Sequence, residues 1–522
     1  MKEKFKNFIL IVLIIIFCIS LSPITMQNDT YYTITIGEHI LEKGIDMKDP
    51  FSWHENLPYT YPHWGYDVAT YLIYNVGQTI SGEIGGYIAI YISTIILASI
   101  LGILLFRTNK KIVKNTIISF AITLLALYSI RDYIAARAQL VTFILFVFEI
   151  YCIEMFLENP RKRYIIGLIS IPILIANLHV AVWWFYFILY IPYIAEYIIA
   201  KISKKNNEII LNRLEISNNK NIKYLIIIMI ICLFTGLLTP LGDTTYTYLI
   251  KTMLGNTTEN INEHLPMIIM QHEAPVVALG LLIFVLSCTS AKIKLRDAFM
   301  ILGLILLMLC SRRHQSLFFL IGSIIFNKLF SEILEDYKEG GIKILDNILL
   351  SKISIAIISL IVVAVSVYFI IQKDGNTFVS ESTYPVQASE WILENLDVNE
   401  IRLFNEYNYG SYLLYKGIQV FIDSRADLYA PEFNTSTGKT EDGRDIFTDF
   451  IDAANISVFY EEIFEKYKIT HVIFYQDSKM NLVITNTNDG TYDCIYEDDN
   501  FVLYEIKEKV INMNLLEESE NR

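Results

Sequence analysis

Polar side chains that can do chemistry stand at one end of the long apolar runs in this chain. A carboxylate can accept a proton, and a guanidinium group can pair with an anion. A charge at the centre of a bilayer costs about 2.5–3.5 kcal/mol, so such residues at the ends of spans indicate a site. The alternative is that they are ordinary loop charges that contact lipid phosphates. The residues are Asp29, Arg131, Arg137, Asn177, His179, His264, His272, Glu273, Arg312, Arg313 and His314.

The apolar runs between these residues are long enough to cross a membrane. Apolar residues make up 53% of the 522 residues and charged residues 19%, against about 25% charged in a soluble domain. A bilayer core takes about 20 helical residues to cross. We therefore predict an α-helical polytopic membrane protein, and a soluble enzyme is excluded. About eleven transmembrane helices are predicted, at residues 8–22, 86–106, 115–130, 138–157, 164–177, 180–199, 223–239, 274–290, 297–311, 315–331 and 351–372.

The distribution of charge predicts the orientation of the chain. Lys and Arg collect in alternate short loops, for example at 107–114 and 161–163, which places those loops and the N-terminus in the cytoplasm. We interpret the first run as an uncleaved anchor. An odd number of spans then places the C-terminal domain outside the cell membrane. The predicted domains are 1–372, in the membrane, and 373–522, an extracytoplasmic α/β domain.

The C-terminal domain is strongly acidic, with 12 Lys and Arg against 29 Asp and Glu from residue 373 onward. Such a balance repels nucleic acid, so no nucleic-acid partner is expected. Asp423, Arg425 and Asp427 alternate with apolar residues, and they either bind the acceptor, dock the domain onto the membrane site or form a salt-bridged loop. Helices are predicted at 385–396, 408–415 and 456–468, and strands at 400–405, 418–423, 470–475, 481–485, 492–497 and 501–506.

The longest outer loop before the C-terminal domain, residues 23–85, has a regular pattern. Tyr32, Ile36 and Ile40 fall on one helical stripe, which predicts a helix over 29–41 that lies at the interface with its apolar side towards lipid. A second helix is predicted from residue 67 to 78.

Several motifs of the chain, taken together, resemble the GT-C superfamily of polytopic glycosyltransferases, and more narrowly a prokaryotic branch of it. An Asp follows the first span, and a surface helix follows the Asp. The sequences DPFSW at 49–53, HWG at 63–65 and NLH at 177–179 come next, and the outer domain carries FNEYNYGSYLLY at 404–415 and FIDSRADLY at 421–429. The resemblance covers nearly the whole chain.

The resemblance implies a GT-C-like fold and a membrane glycosyltransferase. Such an enzyme is a hexosyltransferase that inverts the configuration of the transferred sugar. It takes the sugar from a polyprenyl-phosphate-linked donor at the outer face. The partners expected are this donor, membrane lipid and an acceptor, which is a glycan, a lipid or a protein. Asp29 is the candidate catalytic base, with a helix N-cap as the alternative. Arg312 and Arg313 are candidate clamps for the donor phosphate, and Arg131 and Arg137 are weaker candidates.

His63, His179 and His264 could form hydrogen bonds with the donor or the acceptor, and the alternative for His63 is a structural histidine beside aromatic residues. Asp29 with histidines could also hold a divalent cation, but no His-x-x-x-His or His-Glu-x-x-His spacing occurs, so the metal question stays open. The complete set of predicted substrate-binding residues is His63, Arg131, Arg137, Asn177, His179, His264, Arg312, Arg313, Asp423 and Arg425.

Two other functions compete with sugar transfer. A transporter or flippase usually places its polar residues near the bilayer midplane and often has an inverted repeat; here the polar residues stand at one face and no repeat is visible. A non-catalytic glycolipid-binding protein of the same fold is the third possibility, since fold does not determine function.

Overall fold

In a computed structural model, the protein consists of a bundle of apolar helices followed by a small α/β domain. The structure describes residues 3–202, 209–211, 213–255, 257–268, 271, 273–337, 340–434, 445–487 and 490–507. His272 lies outside these described residues.

Each of the predicted apolar runs coincides with helical structure. By length and composition, six of the described helices could cross a membrane, and shorter apolar helices lie beside them. The chain is therefore a multi-pass membrane protein. The helices up to residue 371 are α1 (Glu3–Leu21), α2 (Asn28–Lys43), α3 (Trp64–Val113), α4 (Ile117–Ser129), α5 (Ala138–Glu158), α6 (Lys162–Leu178), α7 (Trp183–Ile188), α8 (Ile191–Ile202), α9 (Ile222–Leu233), α10 (Thr244–Leu254), α11 (Thr257–Asn260), α12 (Glu273–Cys288), α13 (Leu295–Cys310), α14 (Gln315–Tyr337), α15 (Gly341–Leu349) and α16 (Lys352–Ile371).

Three short strands lie between helices of the bundle. They are β1 (Ile209–Leu211), β2 (Leu214–Glu215) and β3 (Ile293–Lys294). β1 and β2 are antiparallel, whereas β2 and β3 are parallel. They join the segment before α9 to the segment before α13, at the same end of the bundle.

Helix α3 contains a sharp break that joins the predicted second loop helix to the second span. Gly82 has a φ of 66°, a conformation that glycine adopts without steric cost. The two halves pack closely, since a Cβ atom on Gly77 would lie 2.1 Å from the backbone oxygen of Gly85. The break therefore folds the first half of α3 back onto the second.

Helix α2 confirms the predicted loop helix, but the expectation that its apolar stripe faces lipid is wrong. Tyr32 and Ile36 are buried in a cluster that includes Phe421 and Ile422 of the C-terminal domain. Helical periodicity shows that one face of a helix is apolar, but it does not show what covers that face. Here the C-terminal domain covers it, so α2 connects the two domains.

A four-stranded sheet forms the centre of the C-terminal domain. The strand order is β4-β5-β7-β6, with β4 parallel to β5 and the other pairs antiparallel. Val472, Ile473 and Phe474 of β5 are completely buried. The elements are α17 (Val386–Asn395), β4 (Leu403–Phe404), α18 (Tyr407–Tyr415), α19 (Pro431–Asn434), α20 (Ile446–Asn455), α21 (Tyr460–Tyr467), β5 (His471–Tyr475), α22 (Lys479–Thr487), β6 (Tyr492–Glu497) and β7 (Phe501–Ile506).

Two predicted strands of this domain are wrong. Residues 481–485 lie in helix α22, because a short apolar run is compatible with a buried helix or a strand. Residues 418–423 form no strand of the sheet; Val420 makes a single bridge to Ser52 of the first outer loop. The three predicted helices are confirmed as α17, α18 and α21, while α20 was not predicted.

Candidate functional site

Asp29 lies in the first turn of α2 and forms an ion pair with Arg137. The pair joins Asp29 Oδ2 to Arg137 Nη2, and within the described residues Asp29 Oδ1 has no hydrogen-bond partner. The N-cap residue of α2 is Gln27, so the alternative in which Asp29 caps the helix is wrong. The side chain of Asp29 is 17% exposed, so its carboxylate is partly accessible.

Arg137 precedes α5 and holds a second carboxylate as well. Its Nη1 lies 3.4 Å from Oε1 of Glu263. Burial opposes the charge of this guanidinium, but Asp29 and Glu263 raise the pKa of Arg137. A fixed positive charge thus stands between two carboxylates. Glu263 was not among the predicted site residues, although it directly precedes His264 in the sequence.

Two predicted histidines lie side by side next to this ion pair. The ring centroids of His63 and His179 are 5.1 Å apart, and His179 Nδ1 is 2.8 Å from the hydroxyl of Thr142. The backbone brings the two motifs together, since Val180 N donates to Pro62 O. Burial lowers the pKa of His63 to about 4, with smaller effects from Asp29, Arg313 and Arg137. His63 is therefore neutral at physiological pH, when it can donate or accept a hydrogen bond.

Arg313 and Arg312 differ in their surroundings, although they are neighbours before α14. The Nη1 atom of Arg313 lies 3.5 Å from His264 Nε2, and burial together with this arginine lowers the pKa of His264 to about 4. Arg312 instead donates to Asn262 Oδ1 at 2.6 Å and to the carbonyl of Pro266. Arg312 thus fixes the loop before α12, whereas Arg313 has the less satisfied guanidinium.

The C-terminal domain reaches this cluster through Tyr407 and Asp427. The carbonyl of Tyr407 accepts a hydrogen bond from Asn28 at 2.9 Å. Asp427 accepts hydrogen bonds from the hydroxyls of Tyr248 at 2.6 Å and of Thr252 and Thr257 at 3.4 Å. Both residues stand in the motifs at 404–415 and 421–429, and Asp427 was among the alternating residues with a predicted binding or docking role.

Asp423 and Arg425 form a buried ion-pair network with Asp49. Arg425 donates to Asp423 through Nε at 2.8 Å and Nη2 at 2.6 Å, and to Asp49 through Nη1 at 2.7 Å. Asp49 also accepts from the backbone and the hydroxyl of Ser52. The side chains of Asp49, Asp423 and Arg425 are 0–3% exposed. Their charges pair with one another at the contact between the C-terminal domain and the DPFSW segment.

Asn177 and Arg131 take part in local contacts. Asn177 accepts from Trp64 Nε1 at 3.2 Å and donates to the carbonyls of Ile173 and Leu238, so its amide holds the HWG and NLH motifs together. Arg131 lies over the ring of Tyr128 and donates to the carbonyl of Tyr128.

The structure brings six of the predicted residues into one cluster, which we call the outer cluster. Its members are Asp29, His63, Arg137, His179, His264 and Arg313.

A metal ion does not fit the carboxylates of the outer cluster as they are arranged. Among the described residues, no group of three or more His, Cys, Asp and Glu side chains could hold a metal ion. The cation that lies between Asp29 and Glu263 is the chain's own guanidinium, from Arg137.

Comparison with known proteins supports the fold. No family model and no curated protein matches the sequence. The archaeal oligosaccharyltransferase AglB from Archaeoglobus fulgidus, solved with an inhibitory peptide and a dolichol-phosphate, superimposes with a TM-score of 0.55 at 10% identity, over 98% of this chain and 75% of that one. ArnT from Cupriavidus metallidurans bound to undecaprenyl phosphate gives 0.53 at 10% identity, over 97% and 98%. This chain has the GT-C fold of these proteins.

Proposed function

We propose that this protein transfers a sugar from a polyprenyl-phosphate-linked donor to an acceptor at the outer face of the membrane. The observation that carries the proposal is the outer cluster, in which a carboxylate with one free oxygen and a guanidinium group stand together at the ends of the helices. The two structural neighbours, one in complex with dolichol-phosphate and one with undecaprenyl phosphate, support a lipid phosphate as the partner.

Asp29 is the best-placed base among the acids of the first outer loop. Asp49 is bound by Arg425, and Asp67 is completely buried. Arg137 holds Oδ2 of Asp29, which fixes the carboxylate and leaves Oδ1 to accept a proton. A carboxylate near the sugar also stabilises an oxocarbenium-like transition state.

The reaction we propose is a single displacement at C1 of the sugar. The acceptor hydroxyl transfers its proton to Asp29 while its oxygen attacks C1, and the bond between C1 and the phosphate oxygen breaks. The polyprenyl phosphate leaves with the bonding electron pair, and the configuration at C1 is inverted. Because the lipid tail stays in the bilayer, the reacting bond lies at the headgroup plane, which is where we place the outer cluster.

Arg313 is the group we assign to the departing phosphate. Guanidinium groups bind phosphate by two parallel hydrogen bonds, and such charges stabilise a leaving group most when water is excluded. His264 is its one side-chain neighbour within hydrogen-bond reach among the described residues, so its remaining donors can turn to a ligand. Arg312 is assigned a positioning role, because its donors are occupied by the loop at 262–266.

The decisive experiment replaces Asp29 by asparagine, which keeps the size of the side chain and removes the base. Turnover of a polyprenyl-phosphate sugar should fall by about 10²–10⁴-fold, while the apparent melting temperature stays near that of the parent. Asp132→Asn is a matched control, since Asp132 is an exposed acid of a neighbouring outer loop with 76% side-chain exposure. Parental turnover in Asp29→Asn would exclude Asp29 as the base.

The same assay separates sugar transfer from the two competing functions. A glycosyltransferase consumes the donor and releases polyprenyl phosphate when an acceptor is present. A flippase moves the donor between leaflets without consuming it, and a glycolipid-binding protein retains it. Donor that is bound but never consumed, with a range of glycan, lipid and peptide acceptors, would contradict the proposal.

A further inference from the structure

A second polar site lies at the end of the helix bundle opposite the outer cluster. A cavity of about 500 Å³ opens there, within the range of about 300–1,000 Å³ that is usual for ligand sites. Helix α5 links the two ends: Thr142 contacts His179 of the outer cluster, while Glu154 lines the cavity. Twelve residues of helix separate them, which corresponds to about 18 Å. The cavity is therefore independent of the outer cluster.

The floor of the cavity is a network of buried charges. Glu154 accepts from Arg296 Nη2 at 2.9 Å and from Lys328 Nζ at 3.0 Å. Lys328 also lies 2.8 Å from Asp297 Oδ1. These four residues come from three helices, α5, α13 and α14, so the network fixes the shape of the floor. Glu196, 3.9 Å from Arg296, adds a third buried carboxylate next to the two cations.

One donor in this floor is left over. Arg296 is 6% exposed, and among the described residues neither its Nε atom nor Oε2 of the neighbouring Glu196 has a hydrogen-bond partner. Its Nη1 approaches Glu196 only to 3.9 Å. A buried donor without a partner is unfavourable, and an oxygen atom of a ligand in the cavity would satisfy it. An anionic or strongly accepting group of a ligand would therefore satisfy Arg296 Nε.

The rim of the cavity carries charges of both signs. Four lysines surround it, and the same rim carries four glutamates. A ligand with only negative charge would be repelled by the glutamates. A ligand with both charges can place its negative group near the lysines and its positive group near the glutamates. The rim residues are Lys111, Lys114, Lys292 and Lys294 with Glu158, Glu215, Glu332 and Glu335.

We propose that this cavity binds a phosphate ester that also carries an ammonium group, of the phosphoethanolamine type. The phosphate oxygens accept hydrogen bonds from Arg296 Nε and from the rim lysines, and the ammonium group lies against the rim glutamates. The ligand is either a soluble molecule or the headgroup of a lipid. With the predicted orientation of the chain, this end of the bundle faces the cytoplasm.

Binding to the full-length protein in detergent tests the proposal with two probes. Free phosphoethanolamine is titrated by calorimetry, and lipid retention is measured by native mass spectrometry after exchange into phosphatidylethanolamine or phosphatidylglycerol. We expect preference for the ligand with the ammonium group. Binding of free phosphoethanolamine identifies a soluble ligand and retention of phosphatidylethanolamine alone identifies a lipid headgroup; both support the site. Neither probe binding, or phosphatidylglycerol being retained as well as phosphatidylethanolamine, would overturn it.

A pair of rim substitutions locates the binding. The double variant Lys292→Gln/Lys294→Gln should bind the same probe at least about tenfold more weakly, since two charged donors are removed. The matched control is Lys162→Gln/Lys201→Gln, which removes two exposed lysines from the same end of the bundle but outside the cavity. Equal affinity in the double variant and the control would overturn the proposal.

The orphan donor is tested by Arg296→Lys. Lysine keeps the positive charge next to Glu154 but lacks the Nε–H group, so the affinity for the probe should fall while the protein still folds. If this variant does not fold, the double variant Lys292→Gln/Lys294→Gln tests the proposal instead, because those lysines lie at the edge of the network. A folded Arg296→Lys protein with parental affinity would contradict the role given to Nε.

Discussion

Replacing Arg425 by glutamine separates docking of the C-terminal domain from a role in substrate binding. Arg425 is 3% exposed and Asp49 and Asp423 are both 0% exposed at the side chain. Loss of the guanidinium leaves two buried carboxylates without their cation, and breaking such a pair costs about 3–5 kcal/mol. The hydroxyls of Tyr429 and Ser52 still donate to these carboxylates, so we expect the lower end of that range.

The assay is the apparent melting temperature of the purified protein, measured with and without a donor lipid. Lys416→Gln is the control, because Lys416 also links the C-terminal domain to the first outer loop through Glu83, but at an exposed site where a pair contributes about 0–1 kcal/mol. Arg425→Gln should melt well below the control, and Asp49→Asn in addition should restore part of the loss. A parental melting temperature combined with lost acceptor binding would refute the docking role.

Four further predictions concern the outer cluster, two partly buried titratable groups and the topology. Arg313→Gln should weaken donor binding at least about tenfold with little effect on melting, whereas Arg312→Gln should lower the melting temperature; binding and melting measured on both variants test this. Burial and a nearby acid raise the pKa of Glu406 to about 7, so stability should fall as the pH rises from about 4.5 to about 7, and Glu406→Gln should flatten that change in a melting series. Burial lowers the pKa of His264 to about 4, so stability should fall as the pH falls from about 6.5 to 4, less so in His264→Gln. A cysteine at exposed Asn399 should be labelled by an impermeant reagent on intact cells, above the labelling of the parent; labelling only after permeabilisation would contradict the predicted topology.

The helices of the bundle were predictable because the membrane limits which backbone conformations can occur within it. A backbone in lipid must satisfy its own hydrogen bonds, so a long apolar run can only be a helix. Helices α5 and α16 accordingly begin and end within a few residues of the predicted runs. The C-terminal domain lacks this constraint, and there the apolar run at 481–485 was assigned to a strand although it is part of a helix.

The pairings within the site were not predictable from one sequence. The spacing of polar residues showed that Asp29 and Arg137 stand at the same end of the bundle, but not that they form one ion pair across 108 residues of chain. The sequence left three roles open for Asp423 and Arg425: binding the acceptor, docking the domain or forming a salt-bridged loop. Only their burial with Asp49 distinguishes the two, and burial against a distant segment is a property of the fold.

The outer cluster depends on the C-terminal domain as well as on the membrane helices. Helix α2 carries Asp29 at its start, and it packs on α18 of that domain while Asn28 binds the carbonyl of Tyr407. Asp427 of the same domain holds α10, which leads into the loop that carries Glu263. A shift of the domain would therefore move Asp29 and Glu263 together, on both sides of Arg137. For this reason a variant that loosens docking, such as Arg425→Gln, should reduce the sugar transfer that we propose, even though Arg425 lies outside the outer cluster.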